Sequence, residues 1–171
     1  SERTWGMWRR LEASATSRGT VLTGKAVVAY LLQFVQVLAV LALGALIFGY
    51  WPKGSVFALL LAILAFSAVL AALGVVLSLW APTHDTALSL SNIIGMLAAG
   101  IGGSFCTVSS FPDWAQSAAK LSPAYWAIDA IRAVSLDGAG IGGVLPDIGA
   151  LAVFFIVLAA LAMARAATKK D

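Results

Sequence analysis

Apolar residues fill this chain in long blocks rather than in stripes. Stretches without Asp, Glu, Lys, Arg or His cover residues 26–52, 54–83, 86–112 and 148–164, lengths of 27, 30, 27 and 17 residues. A bilayer core about 30 Å thick takes about 20 helical residues, so the first three blocks can each cross once and the last just reaches. No block holds two crossings and a turn. Barrel strands would alternate at every second residue, which LLQFVQVLAVLALGALIF does not do. The pattern predicts an all-α membrane protein with four transmembrane helices, at 26–50, 55–81, 86–107 and 147–165, forming one transmembrane domain over residues 1–171.

Two segments between the blocks have another rhythm. In ERTWGMWRRLEASA, Trp5, Trp8, Leu11 and Ala15 recur by three or four, with Arg3, Arg9, Arg10 and Glu12 on the remaining faces. Residues 1–25 thus hold a basic amphipathic helix, suited either to the headgroup layer or to docking a partner protein. Ser14, Thr16, Ser17 and Gly19 break the pattern, and Lys25 can snorkel from the start of the first span. The second segment, 112–146, is too apolar for a solvated linker and too interrupted for a span. It predicts two short helices before the last span, one capped by Asp113 and starting at Trp114, the other opened by Ser122 and Pro123. Trp114 and Trp126 suit an interfacial position, Tyr125, Ile128 and Ile131 make an apolar face, and Asp129 can pair with Arg132 three residues on.

Composition agrees. The chain is 61% hydrophobic and 11% charged, against about 45 to 50% and roughly 25% in soluble domains. Charge placement then sets orientation. Arg3, Arg9, Arg10, Arg18 and Lys25 precede the first span and Arg165, Lys169 and Lys170 follow the last, whereas Lys53, Lys120 and Arg132 lie in the other loops. The positive-inside rule puts both termini in the cytoplasm, and an even span number agrees. The formal +3 therefore reports topology, and nucleic acid is not an expected partner.

Chemistry is sparse. The single Cys106 offers neither an intrachain disulfide nor a thiolate metal cluster, and no metal site or catalytic residue is expected. No carboxylate lies between the expected span ends, which argues against a carrier driven by an ion gradient. His84, beside Pro82 and Asp85, belongs to the tight turn between the second and third spans. GTVLTGK at 19–25 has Walker A spacing but continues with Ala26 where Ser or Thr would hold magnesium, and GAGIGG at 138–143 reads as a flexible connector. The polar exceptions within the spans are more useful. Gln33 and Gln36 share a helix face and suit interhelical hydrogen bonds; Gly95, Ala99 and Gly103 form a small-residue stripe, with Ser91, Ser89 and Asn92 nearer the cytoplasm. These residues can serve helix packing or line a pathway.

ERTWGMWRRLEASATSRGTVLTGK before a span, and FPDWAQSAAKLSPAYWAIDAIRAV before the last one, resemble the C-terminal two thirds of an ABC type-2 transporter permease. The specific matches are Glu2, Arg3, Gly6, Arg10, Leu11, Ser17, Arg18, Gly24 and Lys25, then Pro112, Trp114, Leu121, Pro123, Tyr125, Asp129 and Arg132. The resemblance implies a six-helix unit with a cytoplasmic coupling segment before the third helix and outer re-entrant helices before the sixth. The four spans would be helices three to six, with the first two absent. Family members commonly carry proline where this chain reads Ser14, Ala15, Thr16. The implied function is the membrane subunit of an ATP-driven exporter in the plasma membrane, moving a hydrophobic or amphiphilic substrate outward. It would bind no cofactor itself; ATP and magnesium would belong to a cytoplasmic ATP-binding cassette subunit, with a second permease and membrane lipid as further partners. Arg3, Trp5, Trp8, Arg9, Arg10 and Leu11 would receive the ATPase movement. A scaffold that transports nothing is the alternative.

Overall fold

The computed structural model describes residues 18–49, 51–105 and 107–168. The expected amphipathic helix and its candidate coupling residues Arg3, Trp5, Trp8, Arg9, Arg10 and Leu11 lie outside the described residues. Among those described, the chain is helical with no strand: α1 Arg18–Phe48, α2 Val56–Trp80, α3 His84–Ile101, a 3-10 turn Val108–Ser110, α4 Asp113–Ala119, α5 Pro123–Ser135 and α6 Ile141–Thr168.

Three segments are long and apolar enough to cross a membrane: Ala26–Phe48, Val56–Trp80 and Ile141–Ala166. At 1.5 Å per residue the 25 residues of α2 reach about 38 Å, more than the hydrocarbon core requires. Trp51 and Trp80, near its two ends, are both exposed, as aromatic anchors at the two interfaces would be. The segment expected to cross at 86–107 is instead the 18-residue α3, about 27 Å long, with His84 and Asp85 in its first turn.

Four boundaries differ from expectation, each for a local reason. α1 starts at Arg18 and includes Gly19, which sits where helical N–H groups have no intrahelical partner and a weak helix former costs little. Since 19–25 is all helix, GTVLTGK has no loop to cradle a phosphate. α4 starts at Asp113, not Trp114: extended Pro112 (φ −58°, ψ 152°) holds the cap position without a side-chain bond, leaving Asp113 in the first turn beside the positive helix end. α3 stops at Ile101, short of the expected 107, because Gly103 turns left-handed (φ 91°). α6 starts at Ile141, six residues before the expected span, so Ile141–Gly143 of the supposed connector are helical.

The early start of α6 overturns another expectation. Asp147 now lies inside a helix long and apolar enough to cross, and is only 5% exposed. The charge-free stretch 148–164 makes Asp147 a span end and leaves no carboxylate between the ends, whereas the helix Ile141–Ala166 encloses it. Pro146, just before it, interrupts the helix only slightly, because the one carbonyl it leaves without an N–H partner lies in the first turn.

α2 is the centre of the packing and touches α1, α3, α5 and α6. Its buried positions Ala58, Ala62, Val69, Ala72 and Val76 are mostly small, which lets neighbouring backbones approach closely. A buried apolar cluster lies at the N-terminal end of α2, where Ala58 and Ala62 meet Ala130 and Val134 of α5 and Val144 of α6. Ser67 is fully buried in α2 and its hydroxyl has no hydrogen-bond partner among the described residues.

Backbone bonds tie the α1–α2 connection to the end of α5. Lys53 N–H donates to Ser135 O at 3.3 Å, Gly54 N–H to Val134 O at 2.9 Å and Ser55 N–H to Ala139 O at 3.3 Å. At the other edge α3 ends in a Schellman motif. Ser104 N–H reaches Ala99 O at 3.0 Å and Gly103 N–H reaches Gly100 O at 3.4 Å, with Gly103 at φ 91°. Gly103 is thus the helix terminator, not the third member of a packing stripe. Gly102 lets α5 come close, since a Cβ there would lie 2.8 Å from Ala124 Cβ and 2.9 Å from Tyr125 N.

Ser122 then joins the two helices. Its hydroxyl accepts from Ala124 N–H at 3.3 Å, capping α5, and donates to Ala98 O of α3 at 2.8 Å. Ser122→Ala removes both bonds at a buried position, a cost of about 2 kcal/mol by the usual values for a cap and a hydrogen bond. Hydrogen exchange should show faster opening of the first turn of α5 while α2 keeps its protection; unchanged exchange there would refute the bridging role.

Candidate functional site

Five helices leave a space between them. A cavity of about 480 Å³ is bounded by Gln33 and Gln36 of α1, Leu70 of α2, Gly95 and Ala99 of α3, α5 from Pro123 to Ile131, and Phe154 of α6. Its walls are overwhelmingly carbon, and its volume falls within the range of about 300 to 1,000 Å³ usual for small-molecule sites.

Local sequence explains the opening. Gln33 and Gln36, three apart, do share a face of α1, and that face lines the cavity. The interhelical hydrogen bond expected of them is not formed: neither side chain has a hydrogen-bond partner among the described residues. On α3, Gly95 and Ala99 share a face as the four-residue spacing requires, but nothing lies within 4 Å of a Cβ built at Gly95. The small residues of α3 therefore keep a wall open instead of seating a neighbouring backbone. Ser89 and Asn92 are exposed on the same helix and do not line the cavity.

The cavity meets α5, and on another side of that helix lies a smaller, polar pocket of about 360 Å³. Tyr125, Asp129 and Arg132 line it together, joined by Gln116 of α4, Ser109 and Asp137. Ile128 lines both spaces. Gln116 is held by donating from Nε2 to Phe111 O at 2.9 Å. Asp129 and Arg132 share the pocket, yet no ion pair joins them among the described residues, contrary to the expectation from their spacing. Burial, then the carboxylates of Asp129 and Asp147, hold the Tyr125 phenol above its ordinary range, so it remains a hydrogen-bond donor at neutral pH.

The tryptophans of α4 and α5 differ. Trp114 is 76% exposed on α4, while Trp126 donates from Nε1 to Lys120 O at 2.9 Å and stacks edge-on with Tyr125 at 5.2 Å between ring centroids. Sequence reasoning missed Leu70 and Phe154, because apolar residues in an apolar helix carry no mark of which face adjoins a cavity. It also missed Gln116 and Asp137. Gln116, the lone amide in the short α4, was the available signal.

No curated protein and no solved structure matches this chain. A family model described as ABC-2 family transporter protein matches residues 1–164. A bundle of apolar, membrane-length helices with two short helices before the last, matched over nearly its whole length, belongs to the ABC-2 transporter permease family, as a membrane transport component.

Proposed function

We propose that this permease is the membrane subunit of an ATP-driven exporter that moves a hydrophobic or amphiphilic substrate outward across the plasma membrane. The observation that carries the reading is the carbon-walled cavity between α1, α2, α3, α5 and α6. A groove of this size and apolarity suits a small hydrophobic ligand, which favours a transport path over a scaffold. The energy source is a cytoplasmic ATP-binding cassette partner, the kind of subunit with which this family generally works. A second permease and surrounding lipid complete the assembly.

In this arrangement the described helices make four crossings, helices three to six of the family unit, with both termini cytoplasmic. α3 supports the count despite its modest length. It leaves from the C-terminal end of α2, and its own last turn bonds to Ser122 at the start of α5. The end of α5 bonds in turn to Gly54, which precedes α2. These bonds support a return of α3 toward the side from which α2 departed.

Coupling falls to the basic segment containing Arg3, Trp5, Trp8, Arg9, Arg10 and Leu11. ATP binding drives transport only if the partner contacts this segment differently in the two states. In the full-length permease with its ATPase, the double substitution Arg9→Glu and Arg10→Glu should cut transport at least about tenfold while ATP hydrolysis continues. Transport equal to wild type in reconstituted vesicles would refute the coupling role.

A further inference from the structure

We propose that the polar pocket beside α5 binds the ammonium-bearing head of an amphiphile whose apolar body lies in the neighbouring cavity. This rests on the exporter reading and specifies its substrate.

Charge is the first ground. The pocket is lined by the carboxylates of Asp129 and Asp137 against one guanidinium, Arg132, giving a formal charge of −1. Asp147 stands beyond them. It is 5% exposed, has no hydrogen bond or ion pair among the described residues, and lies near enough to act on the Tyr125 phenol. An anionic head would face this excess of negative charge, whereas an ammonium would complement it. The Tyr125 ring adds an aromatic wall of the kind that attracts alkylated ammonium groups.

Adjacency is the second. The polar pocket holds about 360 Å³ and the apolar cavity about 480 Å³, and Ile128 is part of both walls. Along α5 the residues change character by face: Tyr125, Asp129 and Arg132 line one space, Ala124, Ala127 and Ile131 the other. A ligand with a charged end and a hydrocarbon end matches that division. A purely apolar ligand would leave the carboxylates unused, and a fully polar solute would leave the cavity wall uncovered.

Two sources share this chemistry: a cationic amphiphile, and a zwitterionic lipid whose phosphate would meet Arg132. Calorimetric titration of the purified full-length permease, without ATP, separates them. The probes are hexyltrimethylammonium, hexylphosphocholine, hexyl sulfate and hexyl glucoside, which share a tail and differ in the head. Hexyltrimethylammonium should bind at least about tenfold more tightly than the glucoside or the sulfate. Asp129→Asn and Asp137→Asn, both at exposed side chains, should each weaken it several-fold. Arg132→Gln should tighten it by removing a like charge. Phosphocholine binding that Arg132→Gln weakens assigns the pocket to zwitterionic lipid, and rejection of phosphocholine assigns it to cationic amphiphiles. Equal affinity for all four heads, or trimethylammonium binding unchanged by both Asp substitutions, overturns the proposal. Because no ATP or transport is involved, that failure would leave the coupling test on Arg9 and Arg10 unaffected.

Discussion

Ala99→Trp is expected to reduce transport at least about tenfold while leaving folding and basal ATP hydrolysis near wild type. Ala99 is half-buried on α3 and lines the cavity together with Gln33 and Gln36. An indole there would fill space that a substrate must enter, and covering its roughly 150 to 250 Å² of surface against carbon walls is itself favourable. Stability should therefore hold while the path closes. Leu97→Trp on the same helix is the control, since Leu97 is well exposed and lines neither space. Vesicle transport and ATPase activity, measured together, separate a blocked path from a broken protein. If Ala99→Trp transports as well as Leu97→Trp, the cavity is not on the route.

Gly54→Val should be the most destabilising single change in the α1–α2 connection. A Cβ at Gly54 would lie 2.7 Å from Val134 O and 2.8 Å from Gly138 C, both backbone atoms that no side-chain rotation can move aside. Accommodating it means separating the connection from the end of α5 and weakening the bonds from Lys53, Gly54 and Ser55. With overpacking at about 1 to 3 kcal/mol and the three bonds, each worth about 1, weakened by about a third, the loss is about 3 kcal/mol. For a chain of this length that corresponds to an apparent melting temperature lower by about 6 to 12 °C. Gly44→Ala is the contrast: nothing lies within 4 Å of its Cβ and it sits within α1, so better helix propensity should hold or raise stability. A melting temperature for Gly54→Val within a degree or two of wild type would show that this junction does not hold α5 against the start of α2.

Both tests probe features that a linear reading could not weigh. The rough position of the crossing-length helices was legible because hydrocarbon imposes a blunt rule, that a segment that crosses must be apolar over its full depth; of the four spans expected, three are long and apolar enough among the described residues. The second helix was read as 55–81 and runs Val56–Trp80. Ser122 and Pro123 likewise announced the start of α5, since a cap and a first-turn proline act locally. Where a boundary depended on contacts distant in sequence, the pattern misled. α3 ends early because Gly103 takes a left-handed conformation and α5 packs on Gly102, and Asp147 marks no boundary because α6 begins before it.

Family membership was also legible, in the basic segment and in the Pro112–Val134 stretch, and the match over residues 1–164 agrees with it. What the sequence determined by itself was the solvent of each segment, because transfer from water to lipid is summed residue by residue along a helix. The faces of those helices were decided only by the tertiary structure. Gln33, Gln36, Gly95 and Ala99 were visible as polar or small exceptions, yet whether they close on a neighbour or border a space depends on the helix opposite. In lipid both faces of such a helix can be equally apolar, so composition carries no direction, and only packing assigns one face to the cavity and the other to the membrane.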